Sequence, residues 1–141
     1  MEIILTNMCM VYDAKGRILV QKRVKADWPG ITFPGGHIED NESVVESIIR
    51  EMKEETGLEV SNLRVCGVKD WIINKKRHLV ILFKTNSFRG NLHSSQEGEV
   101  FWIKEEDLLN YTLAPDTYEI YLIMKNENIS EIYLTNNQKT I

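Results

Sequence analysis

The segment from Ser43 to Gly57, SVVESIIREMKEETG, constrains the chain more than any other. Ser43 followed by Glu46 is a capping box, in which each side chain satisfies an orphan amide at the start of a helix. Gly57 suits the position just past the end, where a left-handed conformation stops the helix. Between them Val44, Val45, Ile48, Ile49 and Met52 recur at helical spacing. That periodicity predicts an apolar stripe buried against a sheet. A second set, Glu51, Glu54 and Glu55, stands at i, i+3 and i+4 and shares one helix surface. Like charges so placed cost roughly 0.2–0.5 kcal/mol per pair, and these crowd the negative end of the helix dipole. Two readings follow. The acids form a solvated face with Arg50 and Lys53 as partners, or they hold a divalent cation, since one or two carboxylates with substrate phosphates are the usual magnesium arrangement. The flanks favour the cation. Phe33-Pro34-Gly35-Gly36 precedes the helix, and glycines let the backbone approach an ion or phosphate closely. Arg50 adjoins Glu51 and could orient it.

The rest of the chain predicts a sheet around this helix. Ile3–Tyr12 and Ile18–Val24 read as strands joined by the turn Asp13-Ala14-Lys15-Gly16, so the start looks like a hairpin. Lys25–Gly30 reads as a polar loop, and Ile31–Phe33 as a short strand stopped by Pro34-Gly35-Gly36. Glu59–Ile73 and His78–Phe88 are β-rich, with the basic turn Asn74-Lys75-Lys76-Arg77 between them, and Glu99–Ile103 is a shorter strand. Glu105–Leu109 reads as a short helix. Asp116–Lys125 reads as a second main helix, with Asp116 as N-cap and Glu119 at N3. Ile129–Thr135 ends the pattern as a final strand or a docked tail. Strands and helices in this order predict an α/β sandwich, a mixed β-sheet with helices on both faces.

The chain has 141 residues, enough for one domain with a real core and too few for two ordinary ones. A net charge of -4 with no block of five or more like charges argues against a duplex nucleic-acid partner. A small phosphorylated ligand stays open, because a metal ion can supply the positive charge. Cys9 and Cys66 lie in apolar stretches and read as buried core thiols. The absence of a basic leader or a long apolar run suggests a cytoplasmic protein without a membrane partner. His37, His78 and His93 show no ligand spacing.

Read from Gly36, the segment GHIEDNESVVESIIREMKEETGL resembles the Nudix box, G-x5-E-x7-R-E-U-x-E-E-x-G-U with U apolar. It agrees at Gly36, Glu42, Arg50, Glu51, Met52, Glu54, Glu55, Gly57 and Leu58. The order of strands is similar to the Nudix α/β/α sandwich, and the resemblance implies one Nudix hydrolase domain over residues 1–141. It implies a divalent cofactor, Mg2+ with Mn2+ as the alternative. Catalytic roles would fall to Glu51, Arg50 and Glu54, with Glu51 the favoured general base in the MutT-like branch. Metal ligands would come from Glu54, Glu55 and the Gly35 carbonyl, with Glu51 a further member of the site. The family also uses a glutamate outside the box, before a strand with a tryptophan. Gln96-Glu97-Gly98-Glu99, leading to Trp102, looks like that element, with Glu97 first and Glu99 in reserve. Arg23 resembles a phosphate-contacting arginine, and Gly36, Phe33 and Asp116 join it as substrate-binding candidates.

Such proteins hydrolyse diphosphates linked to a nucleoside. The resemblance therefore implies a small-molecule nucleotide substrate, with a role on 8-oxo-dGTP or a related nucleotide as the leading reading. Trp28, Trp71, Tyr118 and Phe33 are candidates for base stacking, and Asp116 for reading a purine. Rival substrates are other nucleoside triphosphates, dihydroneopterin triphosphate, ADP-ribose and RNA 5′ ends. A non-catalytic nucleotide sensor is a rival of another class. Monomer and homodimer are both compatible with the sequence.

Overall fold

The computed structural model describes residues 1–24, 29–135 and 138–141. In chain order the elements are β1 (Glu2–Val11), β2 (Arg17–Arg23), β3 (Ile31–Thr32), β4 (Gly35–His37), α1 (Val44–Thr56), β5 (Glu59–Ser61), β6 (Arg64–Ile73), β7 (Lys76–Thr85), β8 (Ser87–Arg89) and β9 (Gly98–Lys104). A 3-10 turn (Glu105–Asn110), α2 (Thr117–Lys125), β10 (Glu131–Thr135) and β11 (Gln138–Thr140) complete the chain. Among the described residues the larger sheet has six strands in the order β11-β10-β6-β7-β1-β4. It is mixed, because β1 runs parallel to β7 and β10 parallel to β6 while the other pairs are antiparallel. A second sheet has the order β3-β2-β9, and β5 pairs with β8 in a third.

Strand alternation sends successive side chains to opposite faces, and here both faces are apolar. Met8 and Met10 of β1 join a core with Val80, Leu82, Ile120, Ile123 and Met124, on the α2 side. Cys9 and Val11 join a second core with Ile48, Met52 and Phe83, on the α1 side. Helices thus cover both faces, and the expected α/β sandwich is the observed architecture.

The expected hairpin is a correction. β1 and β2 belong to different sheets, and their pairing is reduced to the bridge Tyr12↔Ile18. The Asp13–Gly16 turn forms, with the Asp13 carboxylate accepting from the amides of Lys15 and Arg17. β2 then leaves to pair with β9 over its whole length, because Ile18 and Val20 serve one core and Leu19 the other. A strand buried on both faces takes its partners from wherever the two cores meet. Pro34-Gly35-Gly36 likewise does more than stop a strand, since Gly35–His37 forms the edge strand β4 against β1.

Helix α1 begins at Ser43, whose hydroxyl accepts the Glu46 amide at 3.0 Å, and ends at Gly57 with φ 80°. The buried stripe is narrower than its apolar pattern. Ile48 and Met52 are fully buried, but Val44, Val45 and Ile49 are 38–39 % exposed. Ser47, Glu55 and Thr56 complete the buried face instead. The helix is thus rotated toward β4, where its polar side meets the glycines. At α2, Asp116 is the N-cap residue by position, yet it adopts a left-handed conformation (φ 68°) and its side chain makes no capping bond. Its carboxylate is drawn away by Lys69 and Lys139. The β6–β7 turn is the two-residue Asn74-Lys75, both with positive φ. Cys9 is buried, whereas Cys66 is half-buried at a bulge in β6, and both thiols are free. No helix among the described residues is long and apolar enough to cross a membrane.

Candidate active site

The site begins where β4 lies against α1. Antiparallel pairing of Asn7 with Gly36, flanked by the bonds Cys9 N–H to Pro34 O and Ile38 N–H to Leu5 O, turns alternate residues of the segment toward β1. Gly35 therefore presents its N–H and C=O to the free edge. Its N–H donates to Glu55 Oε2 at 2.9 Å. Both glycines are dictated by contact. A Cβ on Gly35 would lie 2.0 Å from the Asn7 carbonyl oxygen, and one on Gly36 would lie 2.4 Å from the Glu51 carboxylate.

On α1 the helical period distributes the acids. Glu55 faces inward and is 5 % exposed, with Gln21 Nε2 at 3.5 Å from its other oxygen. Burial, with the nearby Glu51 charge, pushes its carboxyl up to about 7. Glu51 is flanking and mostly covered. Burial raises it too, opposed by Arg50 and assisted by the charges of Glu54 and Glu97. Glu54 lies on the exposed side, 3.2 Å from Arg50 Nη1. Glu97 lines the same cavity as Glu55, whereas Glu99 lies in the pairing of β9 with β2. Gly98 allows the Glu97 loop this close approach. Its φ of 149°, and a Lys22 carbonyl oxygen 2.3 Å from where a Cβ would stand, exclude a side chain there.

Arg50 binds the group together. Its Nη2 and Nε reach the two Glu42 oxygens at 2.6 and 3.0 Å, its Nη1 reaches Glu51 at 2.9 Å, and Nη2 also donates to the His37 carbonyl at 3.0 Å. The bidentate bonds hold the Glu42 carboxyl down at about 2. Glu42 is thus the anchor of Arg50, and Arg50 in turn fixes the carboxylate of Glu51.

Does this arrangement suit a divalent cation? Among the described residues no group of three or more His, Cys, Asp or Glu side chains is arranged to hold a metal ion. The donors are nevertheless hard oxygens, and burial together with their mutual repulsion raises Glu51 and Glu55. An open, one-sided carboxylate surface suits Mg2+, which keeps waters and takes substrate oxygens for its remaining positions.

The NUDIX domain family model matches residues 5–122. The chain belongs to the Nudix family. It is 34% identical over 131 residues to an uncharacterized Nudix hydrolase, YvcI, of Bacillus subtilis, covering 88% of this chain and 80% of that one. It is 26% identical over 113 residues to the CTP pyrophosphohydrolase of Escherichia coli, covering 74% and 79%. Its fold is like that of the mutator MutT protein from Bacillus halodurans, with a TM-score of 0.75 at 24% identity over 98% of this chain and 95% of that one.

In this Nudix hydrolase a cavity of about 450 Å³ runs from the acids across the α2-side face of the larger sheet. Glu55, Glu97, Gly35 and Gly36 line one end, and Lys69, Trp71, His78 and Pro115 are among the residues lining the rest. Arg23 also lines it, in keeping with its expected place. Other expected substrate residues fall elsewhere. Phe33 is fully buried in the core, and Tyr118 packs on Tyr121 outside the cavity. Asp116 does not line it. Lys69 does, and stands between Asp116 and the cavity. Trp71 lines the wall but stacks on His78 at 4.7 Å, with the Lys69 ammonium 4.6 Å from its ring. Trp28 lies outside the described residues.

Sequence reasoning passed over Lys69, His37, His78, Asn7 and Gln21, all of which line the cavity. Each sits in a strand or at its end, where the pattern showed only alternation. One signal was available, namely a lysine inside the largely apolar stretch 65–73. A cation at such a position needs a partner, and Asp116 supplies it at 3.1 Å.

Proposed function

We propose that this chain, as a single Nudix domain over residues 1–141 with its box at 36–58, is a Mg2+-dependent hydrolase of nucleoside triphosphates. Its products would be a nucleoside monophosphate and pyrophosphate, with an oxidised or non-standard nucleotide such as 8-oxo-dGTP as the leading substrate. The observation that supports the reading is that Glu55 and Glu97 line a nucleotide-sized cavity together with Gly35 and Gly36, with the Glu51 carboxylate packed against Gly36. A cavity of about 450 Å³ suits one nucleotide better than a dinucleoside polyphosphate. The pyrophosphohydrolase relative acts on a nucleoside triphosphate, CTP, which supports the same substrate class.

Glu54, Glu55, Glu97 and the Gly35 carbonyl would hold the cation, with Mn2+ as a substitute, and Glu51 borders them. When bound, the ion supplies charge neutralisation at the phosphates. Glu51 takes the proton of the attacking water as general base. Arg50, fixed by Glu42, keeps the Glu51 carboxylate aimed and opposes the burial that raises its pKa. Arg23 at the cavity wall neutralises phosphate charge, and Gly36 lets the chain pass close to Glu51. This division of labour suits phosphoryl-type transfer, which depends on positioning and electrostatics more than on covalent help.

The test is Mg2+-dependent pyrophosphate release from 8-oxo-dGTP, dGTP and CTP, with AMP formation from ADP-ribose followed beside it. Fast turnover of one triphosphate, abolished by chelation, is the expected result. Tight nucleotide binding with no turnover on any substrate would replace the enzyme with a sensor.

A further inference from the structure

Asn7 interrupts an apolar strand and is 3 % exposed. A buried carboxamide is costly unless both its ends are bonded. Its Oδ1 accepts the Gly36 amide at 2.8 Å, and its Nδ2 donates to Ser47 Oγ at 2.8 Å. Ser47 is fully buried on α1 and its hydroxyl passes on to the Val44 carbonyl at 2.7 Å. One planar side chain thus ties β4 to the catalytic helix. The tie sits where it has leverage. Gly36 follows Gly35, whose amide meets Glu55, and Ser47 lies one turn before Glu51 on the same helix.

We propose that Asn7 is a positioning residue for hydrolysis. Through Gly36 and Ser47 it sets the distance between the Gly35 carbonyl and the carboxylates of Glu51 and Glu55. The inference rests on the hydrolase reading above, and it adds a device outside the box that fixes the box's two halves against each other. Nearby apolar positions such as Cys9 and Val11 hold the core together without any such bond. An amide at position 7 therefore serves the edge strand rather than the packing.

Titration with Mn2+ alone, read by the electron paramagnetic resonance of the free ion, tests the spacing without turnover. Asn7→Leu removes both bonds while keeping the number and branching of side-chain heavy atoms. Ser47→Ala removes only the helix end and changes little volume, so it reports even where the leucine variant fails to fold. Mn2+ affinity should fall about 10- to 100-fold in Asn7→Leu, the range for residues that orient metal ligands. The loss should be smaller in Ser47→Ala, and the double variant should be no worse than Asn7→Leu, because both act through one bridge. Turnover at saturating Mg2+ and nucleotide should fall in the same order with KM near the wild-type value. Asn7→Asp, which keeps an acceptor for the Gly36 amide, should recover part of both. Folded variants with lower melting temperatures but wild-type Mn2+ affinity and kcat would overturn the proposal. A wild-type protein that binds Mn2+ but hydrolyses no nucleotide overturns the hydrolase reading, and the Mn2+ series still decides the role of Asn7. A wild-type protein that does not bind Mn2+ overturns both.

Discussion

The two ends of the cavity hold charge in opposite ways. At the α1 end Glu51, Glu54, Glu55 and Glu97 repel one another, and Arg50 is the cation shared among Glu42, Glu51 and Glu54. At the β6 end Asp116 is bracketed by Lys69 at 3.1 Å and Lys139 at 2.9 Å. Burial pushes the Asp116 carboxyl up, yet the two lysines together hold it below the usual carboxylate range. Burial likewise pulls the Lys69 ammonium down against the pull of Asp116. The second end is balanced within the chain. The first is left with surplus negative charge around a buried carboxyl, that of Glu55, pushed up to about 7.

The contrast can be broken most directly at Glu51. Glu51→Gln should keep the fold and lose at least ~100-fold in turnover, measured at saturating nucleotide and Mg2+. Near wild-type turnover would take the chemistry away from this end. The balanced end should respond in stability. Asp116→Asn removes the carboxylate shared by Lys69 and Lys139, and should lower unfolding free energy by about 1–3 kcal/mol in urea titrations. A stable variant with altered base preference would instead make Asp116 a reader of substrate.

Glu55 sharpens the contrast through pH. Its folded pKa, about 7, lies above the usual glutamate value of 4.5. Without metal its contribution is intact below pH 4.5, where the carboxyl is protonated in both states, and is lost as pH rises to 7. Glu55→Gln in chelator should therefore match the wild type near pH 4 and exceed it above pH 7, by on the order of 2 kcal/mol. Saturating Mg2+ should abolish or reverse that difference. The smallest effects belong to the loop acids. Glu97→Gln should weaken Mn2+ binding about tenfold, whereas Glu99→Gln should leave it unchanged. Equal effects would return Glu99 to the site.

Much of this was legible in the chain. The limits of α1 followed from Ser43 and Gly57, because caps are local chemistry. The candidate cluster on α1 followed from the spacing of Arg50, Glu51, Glu54 and Glu55, since residues close in sequence on a helix stay close in space. Glu97 was separable from Glu99 only once β9 paired with β2 and placed Glu99 in the ladder. Phe33 read as a stacking candidate because aromatic identity is silent about burial, and the meeting of the two sheets made it core. The hairpin failed for the same reason, as local turn signals do not specify which sheet a strand buried on both faces will join.

What the sequence by itself determined is the helix, its caps and the family to which the chain belongs. Only the tertiary structure decided how that helix is rotated, with Glu55 inward against Gly35 and Val45 and Ile49 left half outside. It also decided that Lys69 rather than Asp116 faces the cavity, and that Asn7 bridges Gly36 to Ser47. The physical reason is range. Helix periodicity and capping act over a few residues, whereas these choices depend on contacts between residues 20 to 47 positions apart in the chain, as in Gly35 with Glu55, Asn7 with Gly36, Asn7 with Ser47 and Lys69 with Asp116.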